Sequence, residues 1–179
     1  MTLRQDKAVA VFGASDTAEG TAAYEMARSV GRKLAELGYA VVNGGYGGTM
    51  EASARGAAEA GGTAVGVTCS IWKMRANRFI GRCVQTSSLP ERLATLLDMG
   101  RCGYVVLPGG TGTLLELAMA WELMCKRMGP RRPLACVGAF WRPLVEMMAA
   151  QRPGCEEFVA IIERADELER FFPAAGSIR

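Results

Sequence analysis

The chain has 179 residues, half of them hydrophobic and 22% charged, with a formal net charge of +3. That length suits a single α/β domain over residues 1–179, and so small a charge, carried by scattered basic residues, argues against nucleic acid as a partner. There is no histidine, which removes Ser-His-Asp triads, Cys-His pairs and His-ligated metal sites together; acid–base chemistry falls to carboxylates, Tyr, Lys, Cys or the substrate.

The remaining composition narrows the setting. No stretch reaches the roughly 18 to 20 apolar residues that span a bilayer, and the polar segment from Met1 to Lys7 is unlike a signal peptide. The six cysteines are never two to four residues apart, so neither a zinc knuckle nor a Cys-x-x-Cys redox pair is present. They read as small buried hydrophobes in a reducing compartment, which points to the cytoplasm and to no metal or resident cofactor. The basic run from Lys126-Arg127 to Arg131-Arg132 flanks a Gly-Pro turn and reads as a solvated helix end.

In chain order, Val9-Ala10-Val11-Phe12 is a continuous apolar run stopping at Gly13, as expected of a strand buried on both faces. Tyr24, Ala27, Val30, Leu34 and Leu37 follow at helical spacing, closed by Gly38. Tyr39–Val42 is the second strand, a small-residue helix runs from Thr49 to Ala60, and Thr63–Thr68 is the third strand. Cys69–Ser88 reads as a loop-rich cover over the sheet's carboxyl edge, with a short strand near Ile80–Val84. A helix over Leu89–Met99, a strand over Tyr104–Leu107, a helix over Thr113–Met128 and a strand over Leu134–Val137 come next. The tail offers a helix over Arg142–Ala150, a strand at Phe158–Ile162 and a helix over Asp166–Phe172. This alternation predicts a Rossmann-like α/β fold: an open parallel sheet with right-handed crossovers and helices on both faces, in three layers.

The Thr113–Met128 helix carries Leu114, Leu115, Leu117, Met119, Trp121, Leu123 and Met124, with Glu116 and Glu122 as its early charges. A helix apolar all round must be covered all round; one side is expected on the sheet and the other against a second copy, making a homodimer.

Two glycine-rich turns, Gly44-Gly45-Tyr46-Gly47-Gly48-Thr49 and Gly109-Gly110-Thr111-Gly112-Thr113, sit at strand carboxyl ends, where open α/β sheets bind ligands. Each lets a ligand approach the backbone and opens a helix whose free N–H groups favour phosphate. Thr49, Thr111 and Thr113 could add hydroxyl donors; the alternative is a pair of tight turns with no ligand. Neither turn, nor the first one at Gly13-Ala14-Ser15-Asp16, matches G-x-G-x-x-G or a P-loop. Glu116 falls in the first turn of its helix, where a carboxylate either complements the dipole or stabilises a sugar oxocarbenium ion and activates water. Glu51 follows the other turn, either to hold a ribose hydroxyl or base edge or as a first-turn acid facing solvent.

Pro108-Gly109-Gly110-Thr111-Gly112-Thr113-Leu114-Leu115-Glu116 resembles the P-G-G-x-G-T-x-x-E signature of the Lonely Guy family, phosphoribohydrolases that release a base from nucleoside 5′-monophosphates and were long mislabelled lysine decarboxylases. The resemblance extends over most of the chain, from Gly13-Ala14-Ser15 through the Gly44–Thr49 turn and the Val65-Gly66-Val67 strand. It implies a Rossmann-like dimer with a nucleotide between the glycine turns, bound by Gly13, Ser15 and both turns. It also implies catalysis by Glu116 and an upstream arginine, for which Arg92 has the right place. The family's usual Arg-Lys is here Arg92-Leu93, and its Gly-Gly-Gly-x-x-Gly-Leu-Met-Gly turn is here Gly44-Gly45-Tyr46-Gly47-Gly48-Thr49-Met50-Glu51; these departures imply a divergent branch, in a wider superfamily that includes molybdenum-cofactor carriers and nucleotide sensors. A pyridoxal-phosphate decarboxylase would need a Schiff-base lysine in the site; of Lys7, Lys33, Lys73 and Lys126, only Lys73 lies near it. The residues that would contact the base are expected within Cys69–Ser88.

Overall fold

In the computed structural model, which describes residues 7–174, the apolar runs that stop at glycine or asparagine form parallel strands. The polar start of the chain, residues 1–6, lies outside the described part. The elements are β1 (Ala8–Phe12), α1 (Ala22–Glu36), β2 (Ala40–Asn43), α2 (Thr49–Glu59), β3 (Ala64–Cys69), β4 (Arg82–Thr86), α3 (Leu89–Met99), β5 (Gly103–Val106), α4 (Thr111–Cys125), β6 (Leu134–Val137), α5 (Arg142–Gln151) and β7 (Ala160–Ile162). All strand pairs are parallel, in the order β4-β3-β2-β1-β5-β6-β7. The three-layer Rossmann-like α/β fold expected from the sequence is the observed one.

The layers follow from the period-2 alternation of a strand. Ala8, Ala10 and Phe12 of β1 face a core shared with α3, α4 and α5, through Leu96, Leu97, Leu117, Trp121 and Val145. Val9 and Val11 face the opposite core, built with α1 and α2 through Ala27, Val30, Leu34, Ala52 and Ala57. On that second face α1 and α2 touch backbone to backbone: a Cβ on Gly31 would clash with the Ser53 carbonyl, and one on Gly56 with the Arg28 carbonyl. No helix among the described residues is long and apolar enough to cross a membrane.

Three expectations shift. The strand foreseen near Ile80–Val84 is β4, paired with β3 over Arg82–Thr86; as an edge strand it leaves Arg82, Cys83 and Gln85 exposed, so it carries little apolar signal. The helix foreseen over Thr113–Met128 runs from Thr111, with Gly110 as its N-cap, and ends at Cys125, where Lys126 caps it and Arg127 turns the chain at φ 55°. The helix foreseen over Asp166–Phe172 is a 3₁₀ segment, Ala165–Arg170.

Candidate functional site

The chain builds outward from β1 through β2 and β3 to β4, then begins again on the other side of β1 with β5, β6 and β7. Crossovers therefore leave the β1–β5 boundary in opposite directions, which opens a crevice at the strands' carboxyl ends. A cavity of about 520 Å³ lies there, within the ~300–1,000 Å³ range of small-molecule sites. Its walls come from Gly13–Asp16 after β1, from Gly44, Tyr46 and Met50 after β2, and from Trp72 and Met74 after β3. Arg92 of α3, Gly110–Thr113 and Glu116 of α4 complete it.

The turn after β2 is held by its own chain. Asn43, fully buried, donates from Nδ2 to the Met50 carbonyl at 2.8 Å and to Ser53 Oγ at 3.1 Å, and accepts from the Gly45 N–H at 2.9 Å. Gly45 and Gly48 have φ of +80° and +65°, and a Cβ on Gly48 would strike the Ala14 carbonyl, so neither position tolerates a side chain. Thr49 is buried, and both its N–H and its hydroxyl donate to the Ala14 carbonyl at 2.9 Å. The Thr49 hydroxyl, considered above as a donor to phosphate, is thus engaged inside the fold. Gly45, Gly47, Gly48 and Thr49 do not line the cavity; Gly44 does, and the Arg92 guanidinium occupies the space its Cβ would take.

The turn after β5 differs. Gly109 packs against Thr113 and the Ala14 N–H, so it serves the junction with the β1 turn and lies off the cavity wall. A Cβ on Gly110 or Gly112 would meet nothing within 4 Å, and neither glycine has a positive φ. Gly110 caps α4 without a side-chain hydrogen bond. The first backbone bond of the helix, from Leu114 N–H to the Gly110 carbonyl at 3.0 Å, leaves the preceding N–H groups without an intrahelical partner. With the helix dipole, that end suits an anion. Exposed Thr111 and buried Thr113 stand beside it, and Gly13 and exposed Ser15 face it from the β1 turn.

Arg92 and Glu116 meet in this cavity from different helices, with Nη1 3.7 Å from Oε1 and side chains 9% and 13% exposed. That separation is an ion pair rather than a hydrogen bond. The guanidinium is fixed from behind, since Nε donates to the Val67 carbonyl of β3 at 2.8 Å. It also lies 5.3 Å from the Trp72 ring centre and 5.7 Å from that of Tyr46, within cation–π range. Burial pushes the Glu116 carboxyl up to about 7, against the opposing pull of Arg92. Leu93, in the second position of the expected Arg-Lys pair, packs against the α3–α4 core. Glu51 is half-buried in the first turn of α2, and exposed Lys73 lies on the loop after β3; neither lines the cavity. Tyr46, Met50, Trp72 and Met74 are wall residues that residue-type motifs do not flag; the one signal in the sequence is aromatic side chains set in a glycine turn and a polar loop.

A family model described as LDcluster4, the SLOG cluster4 family, matches residues 6–128, which carry both glycine turns, Arg92 and Glu116. The chain belongs to this family. An uncharacterised protein from Archaeoglobus fulgidus is 35% identical over 122 residues, 63% of this chain and 72% of that protein. A cytokinin riboside 5′-monophosphate phosphoribohydrolase of Mycobacterium tuberculosis is 35% identical over 100 residues, 54% of this chain and 53% of that protein. The SLOG chain therefore spans about half the length of that enzyme, and its relation to Lonely Guy enzymes holds at this level. Among solved structures, the molybdenum cofactor binding protein of Rippkaea orientalis has the same fold, with TM-score 0.73 and 20% identity over 92% of this chain and 93% of that one.

Proposed function

We propose that this SLOG protein is a nucleoside 5′-monophosphate phosphoribohydrolase. The observation that carries the reading is Glu116, a carboxyl pushed by burial to about 7 and paired with Arg92 beside the open N-terminus of α4. In this reading the first turn of α4, with Thr111 and Thr113, holds the 5′-phosphate together with Gly13 and Ser15, while Gly109 and the β2 turn shape the cradle. Arg92 orients the phosphate or ribose. Glu116 titrates near neutrality, where a general base works best. Its carboxylate stabilises positive charge at the sugar C1′ as the base nitrogen leaves with the bonding pair; it takes a proton from the water that adds to C1′ and passes it to the departing nitrogen. The products are a free base and ribose 5-phosphate.

Chromatography of reactions with AMP and isopentenyladenosine monophosphate tests this: free base is expected from wild type, with a loss of about a hundred-fold or more in Glu116→Ala. No base from either nucleotide, with the variant indistinguishable from wild type, would remove the reading.

The likeness to a molybdenum cofactor binding protein along nearly the whole chain, together with Leu93 in the Arg-Lys position, supports a second reading, a non-catalytic carrier. It requires a rise in melting temperature with ligand and no turnover. The exposed Leu114, Leu115 and Met119 of α4 support a homodimer through that helix, and a monomer in sedimentation at micromolar concentration would count against it.

A further inference from the structure

We propose that Trp72 is the platform on which a planar heteroaromatic ring of the ligand stacks, and that it divides the cavity into a ring subsite and an anion subsite. This rests on the reading of the cavity as a nucleotide site and names the residue that selects for the base.

The cavity wall is chemically split. The side made by the β1 turn and α4 offers glycine backbone, Ser15, Thr111 and Thr113, together with the carboxyl groups of Asp16 and Glu116. The side made after β2 and β3 offers Tyr46, Met50, Trp72 and Met74, and nothing anionic. Arg92 bridges the two, touching Glu116 on one side and lying over Trp72 and Tyr46 on the other. A ligand reaching from the α4 N-terminus past Arg92 thus meets aromatic and thioether surface, which suits an apolar planar ring and not a second phosphate.

Within that wall Trp72 is the ring a ligand can reach. It is 38% exposed, whereas Tyr46 is 5% exposed and its hydroxyl is tied to the backbone of Cys69 by bonds of 2.8 and 3.3 Å. Trp72 packs edge-on against Tyr46, with centroids 5.8 Å apart and planes at 73°. Its loop is fastened to the β2 turn by Asn77, which donates from its backbone to the Gly45 carbonyl at 2.8 Å and from Nδ2 to the Tyr46 carbonyl at 2.8 Å. An exposed indole held in place on the cavity wall has no role in the core. Every nucleobase has a π-face, so such a ring binds bases by stacking.

The molecule supplies its own probe. Trp121 and Trp141 are buried, with indole N–H groups bonded to the Cys155 and Leu107 carbonyls, so acrylamide quenching of the full chain reads Trp72. AMP is expected to shield Trp72 from acrylamide, while ribose 5-phosphate binds without shielding it. Trp72→Ala should weaken AMP about ten-fold or more and leave ribose 5-phosphate within about two-fold, and Trp72→Phe should restore most of the loss. Unchanged acrylamide access with AMP bound overturns the proposal, as does an equal loss for both ligands in Trp72→Ala. Trp72-dependent AMP binding without release of base supports the platform and removes the hydrolase. Release of base with unaltered KM for AMP in Trp72→Ala does the reverse. If neither AMP nor ribose 5-phosphate binds, both fall.

Discussion

In the turn after β2, the glycines and Thr49 answer to the fold: Gly45 and Gly48 take positive φ, Gly44 makes room for Arg92, and Thr49 gives both its donors to Ala14. In the turn after β5, Gly110 and Gly112 have neither a positive φ nor a neighbour that a methyl group would strike. Gly44, Gly45 and Gly48 of the first turn are thus demanded by internal packing or φ, as is Gly109 of the second, whereas Gly110 and Gly112 are not. Gly110 is the N-cap of α4, a position glycine favours; for Gly112, close approach by a ligand is the reading that the proposed function supplies. Glycine counts alone do not locate a ligand; the space around each glycine does.

The largest test of this contrast is Gly48→Ala, which adds a clash with backbone to a disallowed φ and should cost about 4 kcal/mol in chemical denaturation. A loss below about 1 kcal/mol would erase the distinction. Next comes Glu116, beside the second turn. Burial holds its carboxyl near 7 in the fold, against the ordinary glutamate value of 4.5, so across that window the native state holds a proton that the unfolded chain has released. Stability should therefore fall as pH rises from about 4.5 to 7 and level off above it. Glu116→Gln should flatten that slope and be about 3 kcal/mol more stable than wild type at pH 8; parallel stability–pH curves for the two proteins would contradict the burial of the charge.

Thr49→Val removes a hydroxyl hydrogen bond from the β2 turn to the β1 turn and should cost about 1–2 kcal/mol, with AMP affinity in a titration unaltered. The smallest effect is the most telling. Gly112→Ala should raise stability by about 0.5–1 kcal/mol in a thermal melt, because alanine favours the helix, yet weaken AMP several-fold. Unchanged affinity would assign the second turn to the fold as well.

The sheet and its crossovers were legible because buried parallel strands such as Val9–Phe12 and Tyr104–Val106 are unbroken apolar runs closed by turn residues. β4 was blurred because an edge strand buries few of its side chains. At the site, Glu116 and Arg92 could be nominated from the sequence, and the structure brings them to 3.7 Å. What no spacing rule could give is the inward commitment of Thr49. It depends on β1 lying between β2 and β5, which delivers the Ala14 carbonyl to α2. For Trp72 only its segment, Cys69–Ser88, could be nominated, since a single aromatic in an irregular loop has no periodicity, and its meaning comes from Arg92 and Tyr46, which arrive from distant elements.

The backbone contact between α1 and α2 at Gly31 and Gly56 has a mechanical consequence. Two helices locked by glycine-to-carbonyl contacts cannot slide or separate without opening a void, so that side of the sheet behaves as a stiff plate. Arg92 and Glu116 belong to the opposite side, on α3 and α4. Breathing of the cavity therefore falls to those two helices and the β1 turn, moving against a fixed floor like a door hung on an immovable frame.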